Sequence, residues 1–184
     1  MKKHQAPFLI IICFALLFAL IAPSPAQADT NNDNGVRLGV GLGYSAIMEQ
    51  DRYGYRTTLH LSTLYLSFQY AVNSFYRMGI EERLSTFVPF VISTITLWTH
   101  EFVILNKGSF ELTPHFGVGY QAYGEWDRGG HGPAINVGLG FGWAVTSLIS
   151  LQLNFDYSLL STQMHSEHRM LHQLHMTFNI VFRL

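Results

Sequence analysis

The stretch that most constrains this chain is 174–184, which reads L-H-M-T-F-N-I-V-F-R-L. Read as a strand, it places Leu174, Met176, Phe178, Ile180, Phe182 and Leu184 on one face. His175, Thr177, Asn179, Val181 and Arg183 fall on the other, and the period of two holds to the last residue. A soluble sheet seldom leaves such an apolar edge at a free terminus. A barrel in lipid must pair every strand, because an open edge leaves backbone groups unsatisfied in hydrocarbon. The stretch is therefore expected to be the closing strand of a membrane barrel.

The same ending resembles the C-terminal assembly signal of bacterial outer-membrane proteins, in which alternate apolar positions lead to a terminal aromatic residue. Here Phe182 stands third from the end and Leu184 takes the terminal place. The resemblance implies the barrel assembly machinery as a partner and outer-membrane lipid as the surroundings.

The opposite end agrees on the compartment. Met1, Lys2, Lys3 and His4 form a basic start, residues 8–21 an apolar run, and Ala26-Gln27-Ala28 a small-x-small cleavage pattern. Residues 1–28 are expected to be a cleaved secretory signal peptide. A retained anchor is the alternative, but the run falls short of the roughly 20 apolar residues a spanning helix needs. Pro23 and Pro25 also follow it directly. Cys13, the only cysteine, lies inside the run and lacks the small residue before it that a lipoprotein would require. Without the leader the chain has no thiol, which excludes disulfides and Cys-ligated metal. It is then mildly acidic, and its scattered basic residues argue against nucleic-acid binding.

Residues 29–35 read as a polar tether, and residues 36–184 as alternating strands. The eight expected strands run at 36–47, 55–72, 75–84, 90–105, 110–123, 134–145, 151–159 and 174–184. Leu59 and Leu61 are out of phase with Leu64, Leu66 and Phe68, which predicts a bulge near Ser62-Thr63. Pro114 falls on the apolar face of the fifth strand and predicts another. Short turns at Asn73-Ser74, 106–109 and 146–148 alternate with longer polar loops at 49–53, 124–132 and 161–169. Short turns at one end and long loops at the other suit an outer-membrane barrel with both termini in the periplasm.

The chain thus resembles the small eight-stranded OmpA/OmpX-like outer-membrane barrels over its whole mature length. The implied fold is all-β, an eight-stranded antiparallel up-and-down transmembrane β-barrel in the bacterial outer membrane, without the periplasmic peptidoglycan-binding domain of full OmpA proteins. The alternative is a soluble barrel with its apolar face inward. Against it stand the glycine-rich, uncharged faces opposite the apolar ones, where a soluble surface would carry more Lys and Glu. Aromatic residues near strand ends, among them Tyr44, Tyr70, Tyr120, Trp143 and Tyr157, suit interfacial girdles.

An eight-stranded barrel is only wide enough for side chains to fill it. The inward set contains Arg37, Arg77, Glu81, Glu111, His115, Asp156, His175 and Arg183, with Glu101 a further candidate. One reading is an ion-pair network that plugs the lumen, since buried charges must be paired. The sharper one is a narrow gated pore, which inward glycines would favour. His165, His168, His172 and His175 would share a face on a helix and could hold a metal there. On a strand their spacings alternate faces, so neither a metal nor another cofactor is expected. His60-Leu61-Ser62 has the His-x-Ser spacing that resembles the lipid A deacylase motif, which implies an enzyme if an orienting acid accompanies it. The reading reached is a structural or surface-interacting barrel with a filled lumen, expected to be a monomer; a channel and a lipid A-modifying enzyme are the alternatives. Trp126, Asp127 and Arg128 are the expected contacts for an external ligand.

Overall fold

The structure is a computed structural model and describes residues 35–50, 56–87, 91–125, 128–164 and 167–184. The expected leader, the tether up to residue 34, and Trp126, Asp127 and His165 lie outside these residues. Nine strands follow in order: β1 (Gly35–Gln50), β2 (Arg56–Asn73), β3 (Tyr76–Phe87), β4 (Val91–Phe102), β5 (Leu105–Lys107), β6 (Phe110–Glu125), β7 (Arg128–Ala144), β8 (Ile149–Met164) and β9 (Glu167–Arg183).

The sheet order is β4-β3-β2-β1-β9-β8-β7-β6-β5, and pairing of β4 with β6 closes the ring. β5 continues β4 as one interrupted stave, so the barrel has eight staves, each antiparallel to its neighbours. Both ends of the described chain meet at one rim, where the Leu184 amide donates to the Val36 carbonyl at 2.9 Å. We call this rim the inner end.

Short turns close the inner end. Asn73 Oδ1 accepts from the amides of Phe75 (3.0 Å) and Tyr76 (2.8 Å), and Thr146 Oγ1 accepts from those of Leu148 and Ile149. Gly108 supplies the left-handed residue of the third turn at φ 64°.

The strands depart from the sequence expectations in four ways. Gly35 belongs to β1, where it pairs with Ala71. No bulge occurs near Ser62-Thr63: both ladders of β2 run continuously there, and Leu61 points into the barrel, 2% exposed. β6 runs unbroken through Pro114, and the irregularity lies in its neighbour. Between the pairs Glu101/His115 and Leu105/Leu112 the β4–β5 stave carries one residue more than β6, so the amide that Pro114 lacks falls where the ladder is already broken. Lastly, 124–132 and 161–169 are mostly strand. β6 and β7 pair out to Glu125/Arg128, and β8 and β9 out to Met164/Glu167. Polar composition there marks strands that have left the apolar layer, and the antiparallel ladder still satisfies their backbone.

The outer face is apolar through the middle of the barrel. Leu42 is 71% exposed, and Phe68, Val118, Val137 and Phe178 all project outward as well. Between Val36 and Ala46 the ten steps of β1, at roughly 3.3 Å each and a tilt near 40°, span about 25 Å along the axis, the height of a lipid-facing band.

Candidate functional site

Inward positions of all eight staves converge on a lumen filled in three layers. The inner layer is ionic. Arg77 reaches Glu101 through Nη1 at 3.3 Å and Glu111 through Nη2 at 3.0 Å. Arg183 donates to the other Glu111 oxygen at 2.8 Å, and Arg37 stands 3.6 Å from Glu111. Glu101 also accepts from Gln152 at 3.2 Å.

A second ionic group lies deeper. Arg83 Nη2 donates to Glu81 at 2.8 Å and to Asp156 at 2.9 Å. Asp156 takes a further bond from His115 Nε2 at 2.6 Å, while His115 Nδ1 faces the Thr113 carbonyl at 3.2 Å. Both ring nitrogens meet acceptors, the pattern of an imidazolium. The group then holds two cations and two anions. Tyr65 lies beneath Arg83, with the guanidinium carbon 5.8 Å from the ring centre. Asn136 satisfies most neighbours with its amide nitrogen toward Asp156 and its oxygen toward Arg83, each at 3.2 Å.

Above these charges is a neutral hydrogen-bonded belt. Ser45 bonds Thr63, Ser85 at 3.1 Å and His175 Nδ1 at 2.7 Å. Gln121 donates to Ser93 and to Gln173 at 3.3 Å. The outer layer is apolar, with Ile47, Leu61, Ile95, Tyr123, Leu160 and Leu171 packed in one buried cluster.

All eight lumen residues singled out by sequence line this interior. Arg37, Arg77, Glu111 and Arg183 meet in the inner ionic group, Glu81, His115 and Asp156 in the second, and His175 joins the neutral belt. Arg83 was missed, although one more step of the alternation that carries Arg77, Gly79 and Glu81 arrives at it. Glu101 was obscured by the mixed phase of β4, where Ile95 and Leu97 point inward and Thr94 and Thr96 outward. Neighbouring atoms occupy the space at several of the inward glycines. At Gly138 a methyl group would collide with His115 and Asp156, so the space it leaves is where their hydrogen bond sits.

The other candidates disperse. His172 faces out and His175 in, and among the described residues no group of three His, Cys, Asp or Glu is placed to hold a metal. His60 and Ser62 share the outer face, but His60 Nδ1 bonds the Tyr44 phenol, and among the described residues no carboxylate bonds His60. Arg128 opens β7 opposite Glu125. On the lipid side, Glu82 accepts a 2.5 Å bond from the Thr96 hydroxyl.

No family model and no curated protein sequence matches this chain. Solved structures do. Neisserial surface protein A superposes with a TM-score of 0.65 at 10% identity, over 80% of this chain and 97% of that one. The chain folds as an outer-membrane β-barrel. OprG of Pseudomonas aeruginosa gives 0.59 at 8% identity, over 84% of this chain and 98% of its own. The N-terminal β-barrel domain of OprF from the same organism gives 0.52 at 14%, over 79% and 97%. What the outer-membrane barrel shares with these structures is its fold; the packing of its lumen is read from its own residues.

Proposed function

We propose that this outer-membrane barrel is a closed, monomeric membrane anchor whose work is structural or done by its outer strand tips, with no conducted solute. The observation that carries this reading is the filling of the lumen by two ion-pair groups, a hydrogen-bonded belt and an apolar cluster. A permeant ion would have to part Arg83 from Glu81 and Asp156 and then cross side chains that offer it no ligand. The inner end, with its short turns and both described ends, is read as periplasmic, which sets the long hairpins of β1–β2, β6–β7 and β8–β9 outward. There, together with Trp126, Asp127 and Arg128, they are the surface offered to an external ligand. Lipid and the barrel assembly machinery are its other partners.

The test is planar-bilayer recording on the refolded full chain, paired with binding of whole cells to candidate surfaces before and after the outer hairpins are shortened. The expected result is no discrete conductance and a loss of surface binding on shortening. Discrete channels that change on Arg77→Ala would overturn it in favour of the pore.

A further inference from the structure

On the outer face, three hairpins repeat one arrangement. Tyr44 on β1 bonds His60 on β2, Tyr120 on β6 bonds His131 on β7, and Tyr157 on β8 bonds His172 on β9 at 2.5 Å, always phenol to Nδ1. In each case the tyrosine precedes by two residues the direct partner of the histidine: Ala46 faces His60, Ala122 faces His131 and Leu159 faces His172. The three diads are thus the same diagonal cross-strand pair. They sit four, three and five pairs short of the last pair of their ladders. On the inner side of them the outward residues are apolar, as at Leu42, Val118 and Phe155; beyond them the outer face is mixed, with Thr58, Gly129 and Ser161 beside Met170 and Ile92. The diads therefore lie where the continuous apolar band gives way.

With the phenol donating to Nδ1, the imidazole proton resides on Nε2, and the ring is fixed with a donor for a second partner. Phosphate oxygens are the strong acceptors at that depth of a membrane. Two of the tyrosines, Tyr44 and Tyr157, also border a hollow of about 600 Å³ on the outside of β1, β9, β8 and β7, floored by Ala46, Val137, Leu174 and Met176. Ala46 and Val137 are the small side chains that leave it open among larger neighbours.

We infer that this hollow is a lipid site: one acyl chain of a phosphorylated outer-leaflet glycolipid lies in it, and His60 and His172 bind that lipid's phosphates through Nε2. The inference rests on the outward orientation of the hairpins proposed above. An apolar floor edged by Tyr44 and Tyr157, each of which bonds a histidine just outside the hollow, is complementary to an amphiphile with an anionic head. The pair Tyr76–His100, 2.6 Å, repeats the same diagonal on β3 and β4, where Met78 faces His100, but it lies at the inner end, stacks with Phe102 and Phe116 and takes no part.

The experiment is native mass spectrometry of the full refolded chain in detergent doped with purified lipid A, with the dephosphorylated form of the same lipid as the comparison. The wild type is expected to retain one lipid A through detergent removal and to retain the dephosphorylated form at least tenfold less. His60→Ala/His172→Ala, and separately Tyr44→Phe/Tyr157→Phe, should lower retention about tenfold, Ala46→Leu should lower it by filling the hollow, and His100→Ala should leave it unchanged. Heat-dependent gel mobility reports folding of each variant separately. Equal retention of both lipids, or wild-type retention by the folded double-histidine variant, would overturn the site. Protease cleavage of the short turns, not the hairpins, in intact cells would instead overturn the orientation.

Discussion

At its inner end the lumen packs Arg37, Arg77 and Arg183 against Glu101 and Glu111; at its outer end Ile47, Leu61, Leu160 and Leu171 turn inward, Ile47 and Leu171 on the same strands as Arg37 and Arg183. The change follows from what lies outside each level. Inside the band, lipid demands apolar residues on the outer face, and alternation leaves the polar ones to fill the lumen. Beyond the band the outer face meets water, and Thr58, Gly129 and Ser161 appear there among fewer apolar residues, Met170 and Ile92. The strands then carry their apolar residues inward, as a soluble barrel does. One continuous strand thus obeys two rules, with the Tyr–His border between them, and no bulge is needed to exchange them.

The largest effect should come from the ionic half. Arg83→Ala leaves Glu81 and Asp156 buried without their shared cation, and breaking a buried pair in this way costs about 3–5 kcal/mol. Urea titration of the folded barrel in lipid vesicles, followed by tryptophan fluorescence, measures it. A loss under 1 kcal/mol would mean that the charges are solvated and the lumen open. The companion test keeps the charge and removes the room: Gly138→Val drives a side chain into the His115–Asp156 contact, and should cost about 1–3 kcal/mol as overpacking.

In the apolar half, Leu171→Ala removes a fully buried side chain, and a large-to-small change of this kind costs about 2–5 kcal/mol. The informative comparison is Leu174→Ala, three residues along β9 and facing the lipid side. Lipid refills that space, so its cost should be clearly smaller in the same titration. Equal losses would erase the distinction between the two faces.

How far the sequence could be read follows the same division. Within the band, a period of two identified the staves and most of the inward charges, from Arg37 on β1 to Arg183 on β9, but passed over Arg83. The reading failed where the rule inverts. Leu59 and Leu61 looked like a phase error, and Gly129, Gly130, His131 and Gly132 like a loop, because their apolar set faces inward and is sparse. β4 was ambiguous for another cause, since Ile95 and Leu97 point inward beside Arg83 and Glu81 while Ile92 faces outward farther along. The Tyr–His diads escaped because each is written across two strands, and only the register brings Tyr44 to His60 or Tyr157 to His172.

The smallest effect locates the border itself. Lysine placed on the outer face of β2 meets hydrocarbon or water according to depth, costing roughly 2–4 kcal/mol near the middle of the band and falling toward zero at its edge. Phe68→Lys, whose parent side chain is 52% exposed to lipid, should show nearly the full penalty. Thr58→Lys lies two residues beyond His60 and should fall within about 0.5 kcal/mol of wild type. The two variants lie ten residues apart on one face of one strand, so propensity and neighbours differ little and depth differs most. If Thr58→Lys proved as costly as Phe68→Lys, the apolar band would extend past the diads, and the inward cluster of Ile47 and Leu61 would lie inside the membrane.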